Sequence, residues 1–133
     1  MKKYYLIVLA VITGFLFIRA SLVQSPEEMN KNPQVSGFEI PQDVQAVIDN
    51  SCYGCHNSDS RNEKGKKKLE FDKLGELSKA KLAGKLTSIS EVITDGDMPP
   101  KKVVADHPEM ALTEETGKTL SGWATMVSNR LME

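Results

Sequence analysis

Three stretches of the chain repeat apolar residues at helical spacing, and polar, Gly- and Pro-bearing segments separate them. Val44, Val47, Ile48 and Cys52 fall at i, i+3, i+4 and i+8 after Pro41, which suits the first turn of a helix because its missing N–H costs little there. Leu82, Leu86, Ile89 and Ile93 repeat in the same way, with Lys and Ser between them. This second helix should stop at Asp95-Gly96, because glycine accepts the left-handed conformation that ends helices. Leu120, Trp123, Ala124, Val127 and Leu131 line a third helix. Thr113 is its expected N-cap, and Glu114 and Glu115 favour its positive end. Gly117 and Gly122 each weaken it by ~1 kcal/mol relative to Ala unless another element approaches closely.

Between these helices the pattern fails. Asn57 to Lys68 is polar and contains glycine, so it reads as a loop, with Lys64 to Lys68 as its solvated basic run. Leu69 and Phe71 alternate with charges, as in a short extended piece, and Leu74 and Leu77 suit a brief turn. Met98-Pro99-Pro100 holds the chain extended, and His107-Pro108 belongs to a second loop. No segment has strand character. The expected class is all-α.

The first 20 residues differ from the rest. Lys2 and Lys3 precede an uncharged, mostly apolar run from Tyr4 to Ile18, in the length range of a signal-peptide core. The run is short for a membrane span, which needs ~20 apolar residues, although Ala20 to Val23 would prolong it with Arg19 snorkelling. A cleaved signal and a retained anchor both fit residues 1–20. Residues 21–40, broken by Ser25-Pro26, Asn32-Pro33 and Ser36-Gly37, read as a linker, which leaves 41–133 as the folded domain. Either form of the N-terminus directs the domain to the periplasm, free or held at the inner membrane through residues 4–18.

Charge and composition narrow the function. The formal charge is −1, which argues against a nucleic-acid binder. Two cysteines cannot build a multi-disulfide scaffold. Beyond the first 17 residues the only aromatics are Phe38, Tyr53, Phe71 and Trp123, a thin supply for the core of a domain this size.

Both cysteines lie in Cys52-Tyr53-Gly54-Cys55-His56, a C-x-x-C-H sequence with the spacing of a c-type haem attachment signal. Two thiols at this spacing can each add to one haem vinyl group, and the following His can place an imidazole nitrogen on the iron. The same residues admit other readings. A redox dithiol expects a βαβ context. A zinc site needs a fourth ligand, for which His107 is the only other His. A plain disulfide fits an oxidising compartment. For the sixth iron position Met98 stands out among six methionines, because it sits on a loop between Gly96 and two prolines. His107 is the runner-up. Met ligation would raise the reduction potential.

Taken with Asn57-Ser58, Leu69-Glu70-Phe71-Asp72, Gly96-Asp97-Met98-Pro99-Pro100, His107-Pro108, Leu112-Thr113-Glu114-Glu115 and Trp123, the motif resembles the haem-binding-domain family of small c-type cytochromes over residues 38–133. The resemblance implies a cytochrome c-like helical fold, one covalent haem c, His56 as proximal ligand and Met98 as distal ligand. It departs where many members carry Pro-Trp-Tyr, since Asp59 to Lys68 is polar and Lys-rich here.

The expected function is single-electron transfer between redox partner proteins in the periplasm or membrane, without enzymatic activity. The alternatives are a haem-based gas or redox sensor, or a haem-carrying subunit of a larger membrane complex. Peroxidase-like chemistry would need an open distal site and an acid/base group, for which His107 is the only candidate. A covalent haem would also fill the aromatic-poor core, with Val47, Ile48, Leu86, Ile89, Trp123 and Val127 packed against it.

Overall fold

The computed structural model describes residues 38–133, all within the compact unit Asn32–Glu133. The expected signal or anchor at residues 1–20 and most of the expected linker lie outside the described residues. Among the described residues there are five α-helices and no strand, so the domain is all-α. We label the helices α1 (Gln42–Ser51), α2 (Glu63–Lys68), α3 (Lys79–Thr94), α4 (Lys101–Asp106) and α5 (Glu114–Met132). Two 3-10 helices, Phe71–Glu76 and Pro108–Met110, join them. No helix among the described residues is long and apolar enough to cross a membrane.

The three helices expected from periodicity are α1, α3 and α5. They form the core because each puts one apolar stripe inward. Val44, Val47 and Ile48 come from α1, Leu82, Leu86 and Ile89 from α3, and Leu120, Trp123 and Ala124 from α5. Phe71 and Leu74 of the first 3-10 helix complete the cluster. The α3–α5 pair is the central contact, and hydroxyls lace it as well. Thr87 and Ser128 share a hydrogen bond at 2.8 Å, Ser90 and Thr125 another at 2.8 Å, and Ser128 donates to the Ala83 carbonyl at 3.0 Å. Each buried hydroxyl thereby finds a partner. The Trp123 Nε1 does not, and it is the one buried side-chain polar atom left unpaired among the described residues.

The core differs from expectation in one respect. Ile48, Leu86 and Leu120 are fully buried by protein atoms alone. The residues expected to pack on a haem therefore pack largely on one another. Phe38 and Ile40 also lie against the core, and Phe38 meets Trp123 at a centroid distance of 6.1 Å. The folded unit thus takes in the last residues of the segment read as linker.

Two helices escaped the sequence reading. Asn57 to Lys68 is not all loop, because Asn62 caps α2 by accepting from the Gly65 N–H at 3.0 Å. Glu63 sits in the first turn of α2 and Lys66, Lys67 and Lys68 in its last, which complements the helix dipole. The second is α4, a single short segment between the Pro99-Pro100 pair and His107.

Candidate functional site: the C-x-x-C-H turn and the cleft beside Met98

The C-x-x-C-H residues continue the end of α1 as a tight turn. The Ile48 carbonyl accepts from both Cys52 N (2.9 Å) and Tyr53 N (2.8 Å). The Cys52 carbonyl in turn accepts from Cys55 N and His56 N, each at 3.1 Å. These bonds satisfy carbonyls that a helix end leaves open, and they hold Cys52, Cys55 and His56 on one turn.

The segment after the motif folds back over it. Ser60 is buried, and its hydroxyl donates to the Gly54 carbonyl at 3.1 Å. Gly65 lies so close to Cys55 that a Cβ on it would stand 2.5 Å from the Cys55 carbonyl oxygen. Its own carbonyl is 3.0 Å from His56 Nδ1. A carbonyl can only accept, so Nδ1 donates, and in the neutral ring Nε2 is left with the lone pair. This is the tautomer an iron-binding histidine needs, fixed by a partner outside the ring. Phe71 meets the imidazole edge-on at 6.4 Å between centroids, and its N–H donates to the His56 carbonyl at 3.0 Å. Asp72 holds the next stretch, since the Ser58 amide and hydroxyl both donate to its carboxylate. The Ser58 hydroxyl bond is the main reason that carboxyl sits below its ordinary pKa.

The thiols themselves are unpaired and half-buried. Burial, and then the neighbouring Cys55, pushes the Cys52 thiol up to about 11. A redox-active dithiol needs the opposite shift, toward thiolate at neutral pH. Among the described residues no three His, Cys, Asp or Glu side chains converge as a metal ion would require, which disfavours the zinc reading. Haem makes no such demand, because its two vinyl positions and its iron are separate points on a wide ring.

Met98 is presented by the end of α3. Gly96 takes φ +71°, and the N–H groups of Asp97 (2.9 Å) and Met98 (3.2 Å) both return to the Val92 carbonyl. Only glycine adopts that backbone conformation without strain. Met98 is 37% exposed and lies on the wall of an open cleft of about 480 Å³ with Ile93, Pro99, Val104 and Leu112. Cys52, Cys55 and His56 are not among the residues lining that cleft. The turn at α1 and the Met98 wall are thus two separately built parts.

His107 is on neither. Its ring is 60% exposed, and Nδ1 pairs with the Glu109 carboxylate at 3.2 Å. Asn50, at the end of α1, donates to the Glu109 carbonyl at 2.8 Å and ties this loop beside the turn.

The described domain is thus all-α, with a histidine anchored at Nδ1, two free thiols and, apart from them, a partly apolar cleft of about 480 Å³. The profile of the haem-binding domain family matches residues 59–126, and the chain belongs to that family. It is a haem-binding protein. The matched stretch includes Met98 and His107 and begins beyond His56, so the covalent motif stands outside it. No curated protein and no solved structure matches the chain.

Proposed function

We propose that the protein is an exported mono-haem c-type cytochrome that carries single electrons between redox partners in the periplasm or membrane. The observation that carries this reading is the His56 Nδ1–Gly65 carbonyl bond beside two free thiols. Haem supplies an iron that alternates between ferric and ferrous states. Cys52 and Cys55 hold it through thioethers, and His56 offers Nε2 as the proximal ligand. The Gly65 carbonyl keeps the imidazole proton on Nδ1 and makes the ring a better donor.

Met98 is the distal ligand in this reading. Its thioether favours the ferrous state and so raises the potential. With His56 and Met98 both bound to its iron, the haem would offer oxygen and peroxide no open site, and the protein would act as a carrier and not as an enzyme. Ile93, Val104 and Leu112 give the wall around Met98 its apolar part.

Absorption spectroscopy of the oxidised protein tests the ligand pair. Wild type and His107→Ala should show the weak far-red band of Met-to-iron ligation, and Met98→Ala should lose it. A wild type without the band would end the Met98 assignment. The exposure of Met98 favours one second reading, a gas or redox sensor with a displaceable ligand. That reading requires CO to shift the spectrum of the reduced wild type, whereas the carrier reading requires Met98 to resist displacement.

A further inference from the structure

The charges of this chain are sorted by segment. Residues 63–85 hold eight lysines against four carboxylates, a net of +4. Residues 91–115 hold seven carboxylates against two lysines, a net of −5. A surface built only for solubility intersperses its signs. Here Lys66, Lys67, Lys68, Lys73 and Lys85 wall one hollow of about 80 Å³ between α2, the first 3-10 helix and α3.

Gathering five ammonium groups around one hollow costs like-charge repulsion, and the chain offsets it only in part. Lys66 pairs with Glu63 at 2.9 Å and Lys73 with Glu76 at 3.3 Å. Lys85 donates to the Lys68 carbonyl. Lys67 and Lys68 are exposed and have no carboxylate partner among the described residues. Glu70 also lines the hollow, and with Glu63 and Glu76 that sets three carboxylates against the five lysines, so the face remains positive.

Its position is specific. The same helix that carries Lys66, Lys67 and Lys68 supplies Gly65, whose backbone touches Cys55 and holds His56. We propose that this lysine face docks the acidic face of a redox partner protein, bringing that partner against the shell of the haem motif. The proposal rests on the carrier reading above. An anionic lipid surface fits less well. Interfacial binding also needs apolar side chains to bury, and the exposed large hydrophobics Tyr53, Met98, Met126 and Met132 all lie outside this face. Charge complementarity would act mainly on the rate of encounter, and the acidic stretch 91–115 would turn the same partner away.

Two charge-matched variants of the haem-loaded full chain test this, Lys67→Glu/Lys68→Glu and Lys101→Glu/Lys102→Glu. Reduced acidic plant-type ferredoxin is the probe, and stopped-flow absorbance reads haem reduction. At low salt the first pair should slow reduction by about tenfold or more, the second should leave it nearly unchanged, and salt should close the gap. Equal slowing by both pairs, or a rate indifferent to salt, would overturn the proposal. So would loss of binding to phosphatidylglycerol vesicles in the first pair with its ferredoxin rate intact. Amide shifts of the chain titrated with oxidised ferredoxin separate the two readings. Shifts centred on residues 64–68, 73 and 85 without electron transfer would keep the docking face and sink the carrier. Electron transfer with shifts elsewhere would do the reverse.

Discussion

At Gly65 the backbone has room for a hydrogen and nothing larger, since a Cβ would stand 2.5 Å from the Cys55 carbonyl oxygen. That neighbour is main chain and cannot rotate away. Gly65→Ala should therefore displace α2, cost ~1–3 kcal/mol in a denaturant melt, and lengthen the His56 bond. A weaker bond makes the imidazole a poorer donor, so the reduction potential should rise. An unchanged potential in voltammetry would show that Gly65 does not set the state of His56. Cys52, Cys55, His56 and Met98 were legible as candidate site residues because their chemistry resides in side chains at a required spacing or on a Pro-fixed loop. Gly65 was not, because its contribution is a carbonyl and an absent Cβ. The signal that could have found it is Asn62, an N-cap residue three positions ahead.

Among the elements, α1, α3 and α5 were readable because each must bury a stripe and so carries helical period. The segment at α2 buries no residue and has no period to read. Its start and stop are written in capping and charge instead, through Asn62, Glu63 and the three lysines. The other unread helix, α4, likewise buries no residue fully. The expected start of α5 stands. Thr113 accepts from the Thr116 N–H at 3.1 Å, and the Thr116 hydroxyl accepts from the Thr113 N–H at 2.9 Å, a reciprocal cap. Thr113→Ala should cost ~1 kcal/mol in thermal unfolding. The close approach of another element that could offset the two glycines of α5 is found at neither in a demanding form. A Cβ on Gly117 would sit 3.7 Å from Ile93, an ordinary contact, and one on Gly122 would meet nothing within 4 Å. Gly84, exposed in the middle of α3, is equally open. Gly84→Ala should therefore stabilise the domain by up to ~1 kcal/mol, and a lowered melting temperature would count against the open space at that site.

For the molecule as a whole, the thin aromatic supply has a double answer. Leu82, Leu86 and Leu120 close much of the core with aliphatic side chains, beside Phe71 and Trp123, which composition did not reveal because close packing depends on geometry. The cleft beside Met98 remains open, with a largely apolar wall. Its exposed apolar surface is a standing cost that a bound haem would remove. A Cys52→Ala/Cys55→Ala chain, unable to attach haem, should melt at lower temperature and over a broader range than the haem-loaded chain. An equal, sharp melt would show that the fold owes haem nothing.

Covalent attachment is the claim on which the carrier reading, the ligand pair and the docking face all depend. Mass spectrometry of the exported, acid-denatured chain, read beside its pyridine haemochrome spectrum, addresses it most directly. We predict one haem retained per chain after denaturation, with the spectrum of two saturated vinyl groups, and its loss in Cys52→Ala/Cys55→Ala. A chain of unmodified mass that releases its haem into solvent, or both thiols free to alkylation in the haem-loaded protein, would contradict it.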